Sequence, residues 1–485
     1  MTAPPGRPTL PRLRPYQAAV ARAILRRALG DGADGGGSLS VEIARQGGKN
    51  ELSAQVELAL LLARARSGGA VVKCAPTLGQ ARISQRRLSQ RVTDAGLGGA
   101  FEASGAVVRC GAAQAHFLSA APAANVVGHT ADLLLEVDEA QDVEPEKFDR
   151  DFRPMAASTD APVIYYGTPW GPRSLLEQAK ATHRSAERRD GRRRHFRYDW
   201  EHVARYVPRY ARYVAAERER LGERHPLFRS QYLLEPVEQG DRLFDAAALA
   251  QLDGSHARLS APRSGERYVA GLDLAGPAPA GTNTIRVDRD WTVLTIARVQ
   301  APPAQGQRRT APAVEVVEHQ AWQGEATERL LDVLADRLRR VWAVRRLAVD
   351  ATGLGGPMAD LLDARLPRNV VAPVVFSSER KSRLGFALLA AVLTGRLRLY
   401  RADGSAQRAQ CRSELELARV AYRDARTMEF DIDPRDGHDD YLMSLALTVE
   451  AAAHPSAQRD RTARGRDARP PGTPNTADTP AEGTS

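Results

Sequence analysis

The sequence is poor in cysteine and has no long apolar run. Its three cysteines, Cys74, Cys110 and Cys411, stand far apart, with no CxxC pair and no His/Cys cluster. That pattern argues against a structural zinc site and a disulfide framework, and it fits a reducing cytoplasm. A membrane-spanning helix needs about 18 consecutive apolar residues, and none are found. The opening MTAPPGRPTLPRLRPYQ lacks the apolar core of a secretory signal. What is present is size and positive charge. At 485 residues the chain holds two large domains plus extras, if a domain takes roughly 150. A core of that size needs no covalent staple. Lys and Arg number 69 against 59 Asp and Glu, a net charge of +10. Charge alone fits a polyanionic partner and a generally arginine-rich composition equally well, because the basic residues are spread over the whole chain.

Apolar periodicity orders the chain. Residues 1–14, rich in proline and basic residues, read as a flexible N-terminus. A helix-like stretch from Tyr16 to Leu29 leads into the glycine-rich DGADGGGS. From Ser38 to about Tyr166, short strands (SVEIA, AVVKCA, VVRC, HFLSA, LLLEVD, PVIYYG) alternate with helices (KNELSAQVELALLLARA, TLGQARISQRRLSQRV). Such alternation predicts an α/β domain with a largely parallel sheet covered on both faces. Residues 172–235 read as helical and very basic, RRDGRRRHFR included. A second α/β region begins near Gly265, with strands RYVAGLDLAG, WTVLTIARV, AVEVVEHQ and RRLAVDAT. The turn-rich APPAQGQRRTAP at 301–312 suits a hairpin between the second and third. Helices follow from about Ala326, Leu354, Ser378 and His438. Three antiparallel strands, a helix and a fourth strand is the order of an RNase H-like fold. Beyond Ala453 the composition has almost no large apolar residues and predicts a disordered tail.

The strongest motif of the first half is ARQGGKNE, between a strand and a helix. A phosphate loop needs small residues so that N–H groups approach phosphate oxygens, a lysine for the β/γ-phosphates, and a helix N-terminus behind. Gly47, Gly48 and Lys49 supply these. Ile43 stands where the usual first glycine would be, and Asn50 replaces the Mg²⁺-binding hydroxyl, its amide oxygen facing the metal or its water. LLLEVDEAQD then delivers Asp138 and Glu139 at the end of a buried strand, where ligands bind in open α/β sheets. In that place Asp138 holds Mg²⁺ through water and Glu139 polarises the attacking water. Three further groups fit an ATP site. Gln17, in RPYQ, can read adenine, and Thr168, in YYGTP, can sense the γ-phosphate. Arg45 can put its guanidinium on the transferring phosphate or make a plain phosphate contact. Each also has an ordinary reading as a helix start, a strand-ending turn or a loop residue.

Acids mark the second half. Asp273 reads as lying mid-strand in VAGLDLAG, Asp350 ends LAVDATG, and Asp439 and Asp440 open GHDDYLMSLALTVE. A charge in an apolar strand is costly unless it is paired or metal-bound. Hard oxygen donors without a histidine/cysteine set suit Mg²⁺ or Mn²⁺. Two such ions activate water and stabilise a leaving 3′-oxygen in phosphodiester hydrolysis. Asp439 and Asp440 point about 100° apart on a helix, so one ligates while the other caps or serves as a second ligand. Asp440 is the expected ligand. Asp288 and Asp290 read as turn residues.

Taken in order, these motifs resemble the large terminase subunit of tailed bacteriophages. RPYQ resembles that family's adenine motif, RQGGKN its deviant Walker A, LEVDEAQD its Walker B and YYGTPW its coupling motif. GLDLAG, VDATGLG and GHDDYLMSLAL resemble its three nuclease motifs. The resemblance implies a RecA-like (ASCE P-loop) ATPase core over 15–171, a basic helical linker subdomain over 172–262, an RNase H-like nuclease domain over 263–453 and a disordered tail over 454–485. It implies ATP and Mg²⁺ as cofactors, and double-stranded DNA, a portal protein and a small terminase subunit as partners. The active form would be a homo-oligomeric ring on the procapsid, in the cytoplasm of an infected or lysogenic bacterium and absent from the mature virion. Two other readings meet the same motifs: a repair-type DNA helicase/nuclease, and a decayed prophage DNA-binding protein. The first would need a second RecA-like domain with its own arginine finger, and no such motif follows Tyr232.

Overall fold

The computed structural model describes residues 10–30, 37–126, 128–237, 241–275, 291–300, 311–353, 355–424 and 427–458. Most of the DGADGGGS stretch and of the 301–312 loop, Asp288, Asp290 and nearly all of the 454–485 tail lie outside the described residues.

The first sheet has eight strands: β1 Ser38–Ile43, β2 Gly69–Ala75, β3 Phe101–Ser104, β4 Val107–Cys110, β5 Ala113–Ser119, β6 Leu134–Val137, β7 Val163–Gly167 and β8 His195–Tyr198. Their order is β3-β4-β5-β2-β6-β7-β1-β8, parallel from β5 through β8 and antiparallel at the β3-β4-β5 edge. Central strands β1, β2 and β6 are buried almost throughout, as expected of a parallel sheet covered on both faces. The helix Lys49–Ala63 is apolar on most sides because it packs on the sheet while the helices Pro15–Leu29 and Leu78–Asp94 pack on it. Leu78–Asp94 starts at a capping box: Thr77 Oγ1 accepts from the Gln80 amide (3.2 Å), and Gln80 Oε1 accepts from the Thr77 amide (3.1 Å).

The second sheet contains β9 Tyr268–Asp273, β10 Thr292–Gln300, β11 Ala313–Trp322, β12 Arg346–Asp350, β13 Val371–Val374 and β14 Leu397–Arg398, in the order β13-β12-β9-β10-β11-β14. β9, β10 and β11 run antiparallel in succession, while β12 and β13 continue parallel to β9. A separate hairpin, β15 Arg419–Tyr422 with β16 Met428–Asp431, stands beside it. The helix Asp440–Ala453 lies across β9, β10 and β12. Gly271 makes that approach possible: a Cβ there would sit 2.2 Å from Ser444 O and 2.5 Å from Thr448 N. The contact is fastened by Ser444 Oγ, which donates to Gly271 O at 3.0 Å and lies 2.8 Å from Thr295 Oγ1.

Several segments depart from the sequence expectation. The 172–262 segment is not one linker subdomain. Its HFRY becomes β8 and pairs with β1, while Leu243, Phe244, Ala248, Leu249 and Leu252 belong to the second domain's core. Flanking arginines hide both assignments in the sequence. β3 escapes the sequence reading too, its FEAS being only four residues long. At the N-terminus, Leu13 packs on the first core and Gln55 Nε2 donates to Pro11 O at 2.7 Å, so the last of residues 1–14 are held. In the tail, Pro455–Gln458 is helical and Ala457 is fully buried.

The domains meet through the helices Pro208–Leu221 and Ser378–Leu393. His225 Nδ1 accepts from the Leu227 amide, and its Nε2–H donates to Phe386 O; both distances are 3.2 Å. Arg396 reaches Arg220 O at 3.1 Å. Ala390, on Ser378–Leu393, is part of the first domain's core cluster.

Two outcomes follow from this packing. Gly271→Ala has to push the Asp440–Ala453 helix off β9, so it should lower stability by about 1–3 kcal/mol in urea titration and weaken any chemistry that needs Asp273 beside Asp440. Burial lowers the His225 imidazole to about 4. The unfolded chain binds that proton near pH 6.5 and the folded chain does not, so stability falls as pH drops from about 6.5 towards 4. His225→Gln, able to keep both bonds, should remove roughly 2–3 kcal/mol of that acid-side loss when urea melts at pH 7.5 and pH 4.5 are compared.

Candidate active sites at two sheet edges

The first site lies where β1, β6 and β7 end. β7 separates β1 from β6, so the ARQGGKNE loop and Asp138 face each other across the end of β7. Gly48 has φ +96° and caps the helix Lys49–Ala63 in the left-handed region, and a Cβ on Gly47 would stand 2.5 Å from Ile43 Cγ2. Only glycines fit this bend. A cavity of about 500 Å³ opens over it, lined among others by Arg14, Gln17, Arg45, Lys49, Asn50 and Glu139. Lys49 Nζ donates to Ile43 O at 3.2 Å and stands 3.9 Å from Glu139 Oε1.

The N-terminal RPYQ segment braces this loop. Gln17 Nε2 donates to Gly48 O at 2.9 Å, and its Oε1 accepts from the Arg14 amide at 2.9 Å. Tyr16 donates to Gly47 O at 2.6 Å. Arg45 lines the cavity, but its guanidinium is held by Gln231 Oε1 at 2.6 Å. Its backbone is bound as well: the amide donates to Gln231 O at 2.8 Å, and the carbonyl accepts from Tyr210 at 2.5 Å. The neighbouring Ala44 amide donates to Tyr198 O at 2.9 Å.

Behind the acids is a network that the motifs do not reveal. Gln141 Nε2 donates to Glu139 Oε2 at 2.9 Å, and Gln141 Oε1 accepts from the Thr168 amide at 3.2 Å. Thr168 is thus tied to Glu139 through Gln141. Gln141 sits in the quoted LEVDEAQD, and its signal was a polar side chain two places beyond the acid, just after a strand. Deeper, Lys73 on β2 stands in register with Glu136 on β6. Its ammonium donates to Ser53 Oγ (2.6 Å) and Glu57 Oε1 (3.0 Å) and lies 3.7 Å from Glu136. Tyr166 donates to Glu136 at 3.0 Å. Burial alone would lower the Lys73 pKa, but Glu57, Glu136 and Asp138 carry it above its ordinary value. Burial raises the Asp138 carboxyl, an effect that Lys73 opposes and Glu139 reinforces.

The second site lies at the matching edge of the second sheet. Asp273 is the last residue of β9, not a mid-strand residue, and Asp350 is the last of β12. The strand stops at Asp273, opposite Val293 of β10, although apolar residues continue past it in the sequence. Asp440 opens the crossing helix, and its Oδ2 accepts from the Trp291 amide at 2.9 Å. Asp439 Oδ2 is 3.7 Å from Lys381 Nζ. Asp350 Oδ1 accepts from the Thr352 amide at 2.8 Å. Burial lifts the Asp273 carboxyl well above its ordinary range, and Asp440, Asp350, Asp439 and Glu414 add to the lift in that order. Asp440, Asp350 and Asp439 are thus near enough to Asp273 to act on its carboxyl electrostatically.

Asp439 does not cap the helix through its side chain. Glu414 does so from the neighbouring helix Ala406–Leu417: its Oε2 accepts the amides of Tyr441 (2.7 Å) and Leu442 (3.1 Å). Burial pushes Glu414 up to about 8. Its signal was an acid on the helix face that also carries Cys411 and Leu415.

Cofactor fit rests on donor chemistry. Among the described residues no three His, Cys, Asp or Glu side chains stand close enough to grip an ion in this arrangement. Asp273, Asp350, Asp439 and Asp440 offer oxygen donors, the kind Mg²⁺ takes, and they would have to draw together to share one ion. At the first site, Asp138, Lys49 and the loop amides suit a Mg²⁺–nucleotide.

These two edges define a fold class: a RecA-like P-loop sheet followed by an RNase H-like sheet. No protein-family model and no curated protein matches the chain. Solved structures do. The large terminase of a thermophilic bacteriophage aligns over 91% of this chain and 99% of its own, with TM-score 0.55 and 11% identity. The same protein with ADP aligns over 90% and 99%, with TM-score 0.54 and 12% identity. The HK97 bacteriophage large terminase aligns over 91% and 95%, with TM-score 0.40 and 16% identity. The chain has the fold of a phage large terminase.

Glu414→Ala should leave two amides unpaired at a buried helix end and cost about 1–3 kcal/mol in thermal melts. Glu414→Gln, which keeps an acceptor, should recover most of that loss.

Proposed function

We propose that this chain is the large terminase subunit of a tailed bacteriophage, an ATPase that drives double-stranded DNA into the procapsid and a metal-dependent nuclease that cuts the concatemer. The observation that carries this reading is the pairing, on one chain, of a lysine loop facing Asp138 and Glu139 with a second sheet edge that gathers Asp273, Asp350, Asp439 and Asp440. The thermophilic-phage terminase, whose fold this chain shares, forms complexes with ADP and ATP-γ-S, which supports a nucleotide in the first cavity.

In the first domain Lys49 and the loop amides hold the phosphates, and Gln17 joins the adenine end to the loop. Asp138 would hold the Mg²⁺, with Asn50 placed to face it or its water. Glu139 orients and polarises the attacking water, and Gln141 fixes Glu139. Arg45 reaches the phosphates on leaving Gln231. In the second domain Asp273, Asp350 and Asp440 would hold Mg²⁺, or Mn²⁺ in its place, with Asp439 beside them. Such ions, when bound, would supply Lewis-acid chemistry toward a water and a leaving 3′-oxygen. Lys381 balances Asp439 at the rim. The reading brings with it a portal protein, a small terminase subunit, a ring on the procapsid and the host cytoplasm. Among the described residues no helix is long and apolar enough to cross a membrane.

Lys49→Ala should abolish ATP hydrolysis with the fold intact. Glu139→Gln should bind ATP and turn it over at least about 100-fold more slowly. Asp273→Ala and Asp350→Ala should each eliminate Mg²⁺-dependent plasmid cutting and leave ATP turnover unchanged. Near-normal turnover by Lys49→Ala removes the nucleotide assignment, and normal cutting by Asp273→Ala removes the nuclease assignment. Strand separation by the purified chain would favour a helicase instead.

A further inference from the structure

The edge of the second sheet carries more than acids. β9, β12 and β13 run parallel, so their C-terminal ends share one edge, and antiparallel β10 starts at that edge. Read across β13, β12, β9 and β10, the residues at the edge are Val375, just past β13, then Asp350, Asp273 and Trp291, just before β10. Val374 and Val293 are the residues in register with these acids, so the row runs outward at both ends, by one residue at Val375 and by two at Trp291. Its two middle members are acids and its two outer members are large apolar residues, 62% exposed at Val375 and 38% at Trp291.

Both outer residues are fixed to the acidic site through their backbones. The Trp291 amide holds Asp440. Val375 follows Val374, which pairs with Asp350, and the next residue, Phe376, donates its amide to Thr352 Oγ1 at 2.9 Å. Thr352 in turn binds Asp350. Lys381, one turn into the helix that follows, stands at Asp439. A single exposed apolar residue needs no explanation, but two that bracket a carboxylate pair on one strand edge do. The acids repel a phosphate strand unless cations intervene; Lys381 is one, and divalent ions on the acids would be the others. The flanking apolar groups then meet what lies on either side of a phosphodiester, its sugars and bases. A stacked duplex hides its base faces, whereas an unpaired strand presents them to aromatic and apolar side chains.

We propose that Trp291 and Val375 form an apolar rim that grips unstacked bases on either side of the bound phosphodiester, so that the second domain selects locally unpaired DNA over intact duplex. This rests on the nuclease reading above and adds the substrate form to it. Substituting either side chain leaves the backbone bonds to Asp440 and Thr352 in place, so the rim can be tested apart from the acids.

The test uses the full chain silenced by Asp350→Asn, with fluorescent DNA of two kinds: a short duplex, and the same duplex with a central mismatched bubble. Anisotropy in Mg²⁺ should show the bubble bound roughly tenfold tighter, the scale of one base stacked on an aromatic ring. Trp291→Ala and Val375→Ser should each lose most of that preference while keeping the duplex affinity, and Trp291→Phe should retain part of it. The bubble should also quench an emission component that Trp291→Phe lacks. Equal binding of both probes, or an undiminished preference in Trp291→Ala, overturns the rim. The unsilenced chain decides the parent reading separately. No plasmid cutting with a bubble preference intact removes the nuclease and keeps a strand-binding site. Plasmid cutting without a preference removes only the rim.

Discussion

A carboxylate buried at the end of a strand costs several kcal/mol unless its charge is balanced. Both domains are organised around this constraint, and they meet it differently. In the first, Lys73 is buried behind the acids, in register with Glu136 and hydrogen-bonded to Ser53 and Glu57. It links the helix Lys49–Ala63 to β6, and through Glu136 and Tyr166 to β7. The elements bearing Lys49, Asp138 and Thr168 are therefore held from beneath by one ionic cluster. In the second domain the charged groups that act most on Asp273 are other acids, which raise its proton affinity, and Lys381 stands at Asp439 on the rim. At the first edge the balancing ammonium is buried, and at the second the Lys381 ammonium stands at the rim.

Much of this was legible in the sequence. Apolar runs such as AVVKCA and LLLEVD are bounded by turns, and their acids fall where strands end. The order of strands and helices in the second half made the sheet topology readable, and with it the placing of Asp350 on a strand next to that of Asp273. What escaped depends on contacts distant in sequence. Lys73 and Glu136 look like isolated charges until β2 and β6 pair. Glu414 caps a helix that begins some way downstream, which makes Asp439 the natural but wrong choice of cap. Gln141 acquires its meaning only when Thr168 arrives beside it. HFRY and FEAS carry too few apolar residues to announce strands, and β1 and β4 supply the pairing that makes them so. Asp273 reads as mid-strand because Leu274 continues the apolar run, although pairing with β10 ends one residue earlier.

The helix Ser378–Leu393 belongs to both halves. Its 16 residues span about 24 Å. Lys381 near its start faces Asp439, Phe386 midway accepts from His225, and Ala390 near its end lies in the first domain's core. A shift of the Pro208–Leu221 helix against it would be felt along a rigid rod that ends at the acids. Tyr210, at the start of Pro208–Leu221, holds the carbonyl of Arg45 in the ARQGGKNE loop. The two edges are thus joined by packed elements and not only by a connecting chain.

The bonds that shape the ARQGGKNE loop bear on its order of assembly. ARQGGKNE leaves the ribosome early, yet Ala44 is bound by Tyr198, and Arg45 by Tyr210 and Gln231. A nascent chain that ends before Gln231 can form β2, β5 and β6, but its loop lacks the groups that fix its shape. Domains generally fold as units in order of synthesis, and contacts distant in sequence are slow to close. The loop therefore takes its final shape late in the maturation of the first domain, completed by a segment that follows the whole of its central sheet.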